Sequence, residues 1–224
     1  MQNFAGMTFV VRVDETAAYS DGSTLTADLA FMRGEGVRPI VVAPDPGVAD
    51  TLVRAINRAG NAAVGLSGRD AAMLPRRGMG VGNVQAGILH TLMAAGYLPI
   101  VEPTAFTAFE NDELLLGADD VAAAIAAATE AVRAIFFHDS GGVADLETAA
   151  LIGELTPAEA LAIAEDARVD ARLRAAVRAA ALGVRAGVRA AQIVDGRIAH
   201  ATVIELLTAQ HLGTQVTGSV FTGA

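Results

Sequence analysis

Arg12, Asp14 and Glu15 lie together in the segment F-V-V-R-V-D-E, where an apolar run ends in charged side chains. The guanidinium of Arg12 can neutralise a phosphate group and donate hydrogen bonds to it. Two carboxylates so close to Arg12 would repel the same phosphate, unless Asp14 and Glu15 begin a solvated turn that caps the next helix. We favour the solvated turn over a metal site for these two residues.

The basic residues restrict the possible chemistry, because all 16 of them are arginines in a chain of 224 residues. The absence of lysine excludes a catalytic lysine, a Schiff base and a Walker-type phosphate-binding lysine. The absence of cysteine excludes a disulfide framework, a thiolate metal site and a cysteine nucleophile. Arginine can supply positive charge to a phosphate, but it cannot supply an amine where the chemistry requires one.

His138 adjoins Asp139 at the predicted end of a strand, where an acid–base or metal role is conceivable. A histidine that is hydrogen-bonded at the edge of the sheet is the interpretation we favour. The four histidines of the chain have no spacing typical of metal ligands; they are His90, His138, His200 and His211. The sequence therefore predicts no metal site.

Composition and charge indicate a cytoplasmic protein with an aliphatic core. Aromatic residues make up only 4% of the chain and tryptophan is absent, while alanine accounts for much of the 53% of hydrophobic residues. A formal net charge of −9 argues against nucleic acid or an anionic membrane as a partner. The chain shows no signal-peptide pattern, and its longest uncharged runs contain Gly and Pro, so we expect no membrane span.

Short apolar segments alternate with helical patterns along the whole chain. We predict strands at 7–13, 38–43, 61–66, 97–102, 134–139 and 190–194, and a last strand in the tail segment G-T-Q-V. We predict helices at 24–35, 46–59, 86–95, 119–129 and 200–208, and a capping box at 156–159 before a long arginine-rich helical region. This alternation is typical of an α/β protein with a mainly parallel sheet covered on both faces. No linker or repeat interrupts it, so we predict a single domain over residues 1–224.

Seven segments, in their order and spacing, resemble the amino acid kinase family, and within it the acetylglutamate kinases. They are V-G-L-S-G-R-D (64–70), V-G-N-V (81–84), A-G-Y-L-P-I-V (95–101), A-D-D-V-A-A-A-I-A-A-A (118–128), D-S-G-G-V-A-D (139–145), I-G-E-L-T-P-A-E-A (152–160) and I-V-D-G-R-I-A-H-A-T-V-I-E-L-L-T (193–208). The resemblance implies a three-layer αβα sandwich, the amino acid kinase or carbamate kinase-like fold, with ligands over the carboxyl ends of the strands. It also implies a homodimer or another homo-oligomer, or a complex with an active paralogue.

The family reaction defines which groups the site would need. Acetylglutamate kinases transfer the γ-phosphate of ATP to the side-chain carboxylate of N-acetylglutamate in arginine biosynthesis, so the resemblance implies ATP with Mg²⁺ as cofactor. Such a transfer requires positive charge and backbone N–H groups around the phosphoryl group. The resemblance places Arg12 at the first-strand lysine, and Asp14 and Glu15 at the two glycines after it. Asp119 matches the aspartate that orients the catalytic lysines.

The substrate and late-helix positions depart from the family pattern. Pro44 and Asp45 lie in A-P-D-P-G (43–47), at the second glycine-rich loop, where two prolines remove N–H donors and Asp45 adds negative charge. The second catalytic lysine aligns with Ala176. Arg174 or Arg178 could reach the same space, or both could lie on a solvated helix face. The lid hairpin of the family has no counterpart between the predicted helix 46–59 and the strand that follows it.

The nucleotide side of the family pattern is best preserved, in the segment D-S-G-G-V-A. It matches the loop that contacts the adenosine half of ATP in the family. The resemblance therefore implies nucleotide-binding roles for Asp139, Ser140, Gly141, Gly142, Val143 and Ala144. The glycine pair could equally be the turn that a strand–helix junction needs.

Two functions from different classes are compatible with these residues. The first is an acetylglutamate-kinase-like phosphotransferase with weak, altered or lost catalysis, in which arginines such as Arg12 replace the lysines. The second is a catalytically silent homologue that acts as a binding, scaffolding or regulatory subunit. The lost lysines, glycines and lid favour the silent homologue on mechanistic grounds, because charge partners and the cover that excludes water are missing.

Overall fold

The computed structural model describes residues 4–15, 24–60, 62–107, 114–207 and 212–218. Its strands are β1 (Thr8–Arg12), β2 (Arg38–Val42), β3 (Ala63–Ser67), β4 (Arg76–Arg77), β5 (Gly80–Val81), β6 (Leu98–Glu102), β7 (Arg133–Phe137), β8 (Glu154–Leu155), β9 (Ala190–Val194) and β10 (Thr214–Thr217). Its α-helices are α1 (Leu25–Gly34), α2 (Pro46–Arg58), α3 (Gly87–Ala94), α4 (Ala118–Ala128), α5 (Pro157–Ala164), α6 (Ala171–Arg185) and α7 (Ala201–Leu207). Within the described ranges, no helix has both the length and the apolar character needed to cross a membrane.

Eight of the strands form one sheet in the order β3-β6-β2-β1-β7-β9-β10-β8, which places β1 near its centre. Neighbouring strands are parallel, except that β10 runs antiparallel to β9. Arg12 lies between Val42 and Phe136 in this register. The carboxyl end of β1 therefore opens at the edge where open α/β sheets bind ligands. The predicted α/β fold with a mainly parallel sheet is confirmed.

Apolar side chains leave the strands alternately toward two separate cores, which explains why the strands are hydrophobic throughout. In β1, Phe9 and Val11 point into the core beneath α1, α2 and α7, whereas Val10 points into the core beneath α3, α4, α5 and α6. Phe136 in β7 shares the core of Val10. Helices therefore cover both faces of the sheet, as expected for a three-layer αβα sandwich.

The helical region after Thr156 consists of two helices rather than one long one. The predicted capping box is present, since Thr156 and Glu159 exchange hydrogen bonds at the start of α5. Asp170 then begins α6, because its carboxylate accepts hydrogen bonds from the N–H groups of Arg172 and Leu173 at 2.9 and 3.2 Å. The sequence interpretation also missed the short hairpin formed by β4 and β5.

Helix α2 leads directly into β3. The helix ends at Arg58 and the strand begins at Ala63, which leaves no room for a lid hairpin between them. The side chain of Asn57 closes this junction: its Nδ2 donates to the carbonyl oxygen of Ala63 at 2.9 Å, and its Oδ1 accepts from the Ala63 N–H at 2.6 Å. The absence of the lid, predicted from the sequence, is a feature of the folded chain.

Candidate functional site

Arg12 and Asp119 form an ion pair at the carboxyl end of β1. Asp119 lies in the first turn of α4, where the partial positive charge of the helix N-terminus favours a carboxylate. Arg12 Nε lies 2.8 Å from Asp119 Oδ1, and the two side chains are only 13% and 14% exposed. An Nη atom of Arg12 also donates to the carbonyl oxygen of Phe137 at 3.3 Å. The structure brings together the two predicted catalytic positions, whose role in catalysis stays a prediction.

The environment of Asp119 disfavours its charge. Burial raises the pKa of Asp119, and the nearby guanidinium of Arg12 opposes this effect. The Nε–H bond of Arg12 does not point at Oδ1 of Asp119, so neither atom has a hydrogen-bond partner in the part of the chain that the structure describes. The pair is therefore held by charge, and Oδ1 retains unused acceptor capacity.

His138 is buried next to this ion pair and is only 5% exposed. Its backbone N–H continues the β7–β9 ladder by donating to the carbonyl oxygen of Val194 at 2.9 Å. Its ring Nδ1 accepts from the backbone N–H of Ser140 at 3.1 Å and lies 2.9 Å from the Ser140 hydroxyl. A hydrogen-bonded histidine at the sheet edge is what the sequence predicted. Burial lowers the pKa of His138, so its ring is neutral near pH 7.

Five of the six residues of the predicted nucleotide loop, Ser140–Ala144, border a cavity of about 480 Å³, whereas Asp139 is not among its lining residues. The cavity is lined by Ser140, Gly141, Gly142, Val143, Ala144, Leu146, Ala149, Leu151, Arg168, Val169, Asp170 and Leu173. Such a volume falls within the range of roughly 300–1,000 Å³ that is typical of small-molecule sites. Leu146 and Leu151 keep apolar surface exposed. The loop therefore faces a space that could hold a flat, partly apolar group, although its nucleotide-binding role stays a prediction.

Gly142 determines how closely this loop packs against β10. Its φ is +142°, and a Cβ atom there would lie 2.7 Å from Cδ1 of Leu151 and 2.9 Å from Oγ1 of Thr214. The hydroxyl of Thr214 accepts from the Val143 N–H at 2.7 Å and donates to the carbonyl oxygen of Ile152 at 2.7 Å. The glycine pair therefore does more than turn the chain, because Gly142 lets the loop pack onto this threonine.

Arg172 is the late-helix arginine whose charge acts on the cluster around Asp119. It lies in the first turn of α6, with Nη1 3.9 Å from Oδ2 of Asp139. Its guanidinium also lowers the pKa of Asp119 and of His138, although burial and nearer charges have larger effects on both. The sequence interpretation missed Arg172, although Asp170 is a helix-capping residue type that would have placed Arg172 in a first turn.

Arg174 lies two residues after Arg172 on α6. Hydrogen bonds from Arg168 lower the pKa of Asp166 to about 2, and the charge of Arg174 contributes to this shift. Ala176, for which the resemblance predicts alignment with the second family lysine, is buried in the core beneath α6. A catalytic role of Arg174 stays a prediction, and its electrostatic partner is Asp166 rather than Asp119.

The segment A-P-D-P-G forms the start of α2. Oδ1 of Asp45 accepts from the Val48 N–H at 2.9 Å, and Pro46 is the first residue of the helix. The rigid turn predicted from the two prolines of this segment is therefore present. The carboxylate of Asp45 occupies the helix N-terminus, where an anion would otherwise bind. The predicted substrate-binding position Asp45 therefore caps α2, and any contact of Pro44 or Asp45 with substrate stays a prediction.

Asp14 corrects the prediction of a solvated turn after β1. It is only 4% exposed, so the prediction is wrong for Asp14, whereas Glu15 is exposed. Hydrogen bonds to Asp195 raise the pKa of Arg197, and the charges of Asp139 and Asp14 raise it further. A buried carboxylate is tolerated when an opposite charge lies nearby, and the sequence alone could not show that Arg197 is close.

Comparisons with known proteins agree with this architecture. Residues 47–195 match the profile of the amino acid kinase family. Acetylglutamate kinase from Synechococcus sp. (strain WH7803) is 30% identical over 268 residues, which covers 97% of this chain and 91% of the relative. Acetylglutamate kinase from Nostoc punctiforme is 31% identical over 274 residues, covering 99% of this chain and 91% of the relative. Both alignments are longer than the 224 residues of this chain, so both relatives contain residues without a counterpart here.

Solved structures share the fold at low sequence identity. N-acetylglutamate synthase from Neisseria gonorrhoeae, complexed with coenzyme A and N-acetyl-glutamate, superposes with a TM-score of 0.79 at 18% identity. The match covers 97% of this chain but 61% of the synthase, so this chain spans less than two thirds of that protein. Carbamate kinase from Giardia lamblia bound to AMP-PNP gives a TM-score of 0.72 at 13% identity, covering 96% of this chain and 99% of the kinase.

Proposed function

Because the chain belongs to the amino acid kinase family, we propose that it is an acetylglutamate-kinase-like protein that binds ATP but transfers its phosphoryl group weakly or not at all. The adenosine half of the nucleotide would occupy the cavity beside residues 139–144. The observation that carries this proposal is that cavity of about 480 Å³, one wall of which is the loop Ser140–Ala144.

The chemistry of the cavity suits a nucleoside. Apolar side chains such as Leu146, Leu151 and Leu173 can pack against a flat base, and nearby backbone groups can fix its edge. The hydrogen bonds to Thr214 hold the loop in place before any ligand arrives. Pre-organisation of this kind reduces the entropic cost of binding. The nucleotide-bound carbamate kinase with the same fold supports the proposal by analogy.

Mg²⁺ enters the proposal only as the counter-ion of the ATP phosphates. Within the ranges that the structure describes, no group of three or more His, Asp or Glu side chains could hold a metal ion by itself. The phosphate chain of the nucleotide supplies oxygen ligands that Mg²⁺ prefers.

The residues at the phosphate half of the site support the proposal that transfer is weakened. Arg12 is the basic residue at the end of β1, and its guanidinium is already paired with Asp119. Asp45 caps the helix whose N-terminus would otherwise attract a phosphate. Ala176, which the sequence resemblance aligns with the second family lysine if no gap is placed there, is a buried apolar residue. Charge stabilisation is the main contribution of a protein to phosphoryl transfer, so these changes remove most of it.

A second candidate function is a silent subunit that binds another copy of this chain or an active paralogue in the cytoplasm. An apolar groove of about 270 Å³ between hairpin β4–β5 and helices α4 and α6 favours this function. Its lining includes Val81, Ala123, Ala127 and Leu182, and Met79 at the hairpin tip is 81% exposed. Contiguous exposed apolar surface often marks a site of protein–protein contact.

Calorimetric titration with MgATP and, separately, with adenosine tests the proposed function. We expect both to bind, because the cavity receives the half of ATP that adenosine shares. Adenosine binding would show that the cavity beside the loop, rather than Arg12, provides the recognition. Absence of heat with both ligands at millimolar concentration would contradict nucleotide binding and leave the silent subunit as the better candidate.

A further inference from the structure

One buried nitrogen of the site has no partner. The Nε2 atom of His138 is inaccessible to solvent, and no hydrogen-bond partner for it occurs among the described residues. An unsatisfied polar atom of this kind usually has a ligand or a strained role, because burying it unpaired is unfavourable. His138 lies directly before the loop 139–144, so the question bears on the nucleotide site proposed above, and the inference rests on that function.

The direction of the His138 side chain follows from the strand ladder. The backbone of His138 continues β7, so its side chain leaves the sheet on the same face as Phe136, two residues earlier. Phe136 shares its core with Val10, and Arg12 lies two residues after Val10 on β1. His138 and Arg12 therefore project from neighbouring strands on the same face of the sheet. The N-termini of α4 and α6 open onto that face.

The contacts of Nδ1 bear on which ring nitrogen of His138 is protonated. The backbone N–H of Ser140 donates to Nδ1 at 3.1 Å, which favours a proton on Nε2, whereas Oδ1 of Asp139 lies 3.2 Å from Nδ1 and favours a proton there. In the tautomer that the Ser140 contact favours, the unpartnered Nε2 is a donor that lacks an acceptor.

Charges of both signs surround the imidazole. Asp139 belongs to the loop that follows His138, and Asp170 and Arg172 lie at the start of α6. Arg12 lies at the end of β1 and Asp119 at the start of α4. On the side of β9, Arg197 pairs with Asp195 and donates to the carbonyl oxygen of Asp139. Asp170 caps α6 and Asp119 pairs with Arg12, so neither carboxylate accepts from Nε2.

We propose that His138 is an uncharged hydrogen-bond donor whose Nε2–H binds a phosphate oxygen of the nucleotide, beside the guanidinium of Arg12. In this arrangement Arg12 supplies positive charge, and the Nε2–H bond of His138 fixes the orientation of the phosphate oxygen. His138 is thus a positioning residue for the phosphate chain in a protein that has no lysine to hold it.

NMR of the ¹⁵N-labelled full chain tests the proposal without altering the site. Long-range ¹H–¹⁵N spectra report which ring nitrogen of each histidine is protonated. The His138 signals are assigned by elimination with the variants His90→Gln, His200→Gln and His211→Gln. We expect a neutral ring protonated on Nε2 at pH 7, and a shift of its Nε2–H signal on addition of sodium tripolyphosphate. A proton on Nδ1, or a His138 signal that tripolyphosphate leaves unchanged, would overturn the proposal.

Two variants of His138 provide an independent readout. His138→Leu removes the donor, and we expect it to weaken tripolyphosphate binding by about tenfold, the effect of losing a hydrogen bond to a charged group. His138→Gln retains an N–H donor at a similar distance, and we expect it to preserve most of the affinity. Equal affinity of His138→Leu and wild type would contradict the proposal. Adenosine is the control ligand: its failure to bind counts against the proposed function, whereas the tripolyphosphate result decides the role of His138.

Discussion

The substitution Gly142→Ala is expected to destabilise the fold by about 3 kcal/mol and to weaken adenosine binding by about a hundredfold. At its φ of +142° this residue occupies a backbone region that is essentially restricted to glycine. The new methyl group would also lie 2.7 Å from Leu151 Cδ1 and 3.0 Å from the backbone nitrogen of Thr214. The leucine can move, but the backbone of β10 cannot move without breaking its pairing with β9.

The two expected effects share one cause. The loop can relieve the strain by leaving Thr214, but it then loses the shape that forms the cavity wall. Restoring that shape for a ligand costs about as much as the strain itself, and about 3 kcal/mol corresponds to roughly a hundredfold in affinity. Urea unfolding measures the first effect and calorimetric titration with adenosine measures the second.

Gly153→Ala is the matched control for this substitution. Gly153 lies in the same part of the chain, its φ is not in the left-handed region, and no atom lies within 4 Å of the position its Cβ would take. We expect it to change stability by less than about 0.5 kcal/mol and to leave adenosine binding intact. If Gly142→Ala binds adenosine as tightly as Gly153→Ala does, the loop does not form the nucleotide site.

The substitution Arg12→Ala is expected to destabilise the protein by about 3 kcal/mol at pH 8, because it leaves the buried carboxylate of Asp119 without its counter-charge. Burial already raises the pKa of Asp119 above that of an unfolded chain. The folded state therefore disfavours the ionised form, and this penalty grows as the pH rises through the folded-state pKa. Arg12 offsets the penalty in the wild type, so the loss in the variant should be larger at pH 8 than at pH 5. Urea unfolding at the two pH values measures the difference.

A double-mutant cycle with Asp119→Ala separates the ion pair from other contacts of Arg12. If the pair acts as a unit, Arg12→Ala should cost much less in the Asp119→Ala background than in the wild type. Equal costs in the two backgrounds would show that Arg12 acts through its contact with the carbonyl oxygen of Phe137 or through packing. A loss of stability in Arg12→Ala that is equal at pH 5 and pH 8 would also show that Arg12 does not act through the charge of Asp119.

The sheet and most helices follow from local patterns in the sequence. Each predicted strand is an apolar run that ends near a polar or glycine residue, and a strand covered on both faces has to be apolar throughout. The capping box at Thr156 could be predicted because it depends on the spacing of residues within one helical turn. The division between α5 and α6 was missed because uniform arginine-rich periodicity conceals the capping role of Asp170.

The candidate site is harder to predict because its members are distant in the sequence. Arg12, Asp119, His138 and Arg172 meet only through the register of β1 with β7 and the placement of two helix N-termini. The family resemblance supplied Arg12 and Asp119. It did not supply His138 or Arg172. Asp14 is likewise buried at a place where its charge acts on Arg197, a residue distant from it in the sequence.

The central claim is that this protein keeps a nucleotide pocket but has lost most of the groups that transfer the phosphoryl group. A hydroxamate assay for acyl phosphate, with saturating MgATP and N-acetylglutamate, tests it most directly. We predict that the wild type forms hydroxamate no faster than the Arg12→Ala variant does, although it binds MgATP. Turnover at an ordinary enzymatic rate, about 1 per second or more, that Arg12→Ala abolishes would contradict the claim and show that arginine has replaced the catalytic lysine.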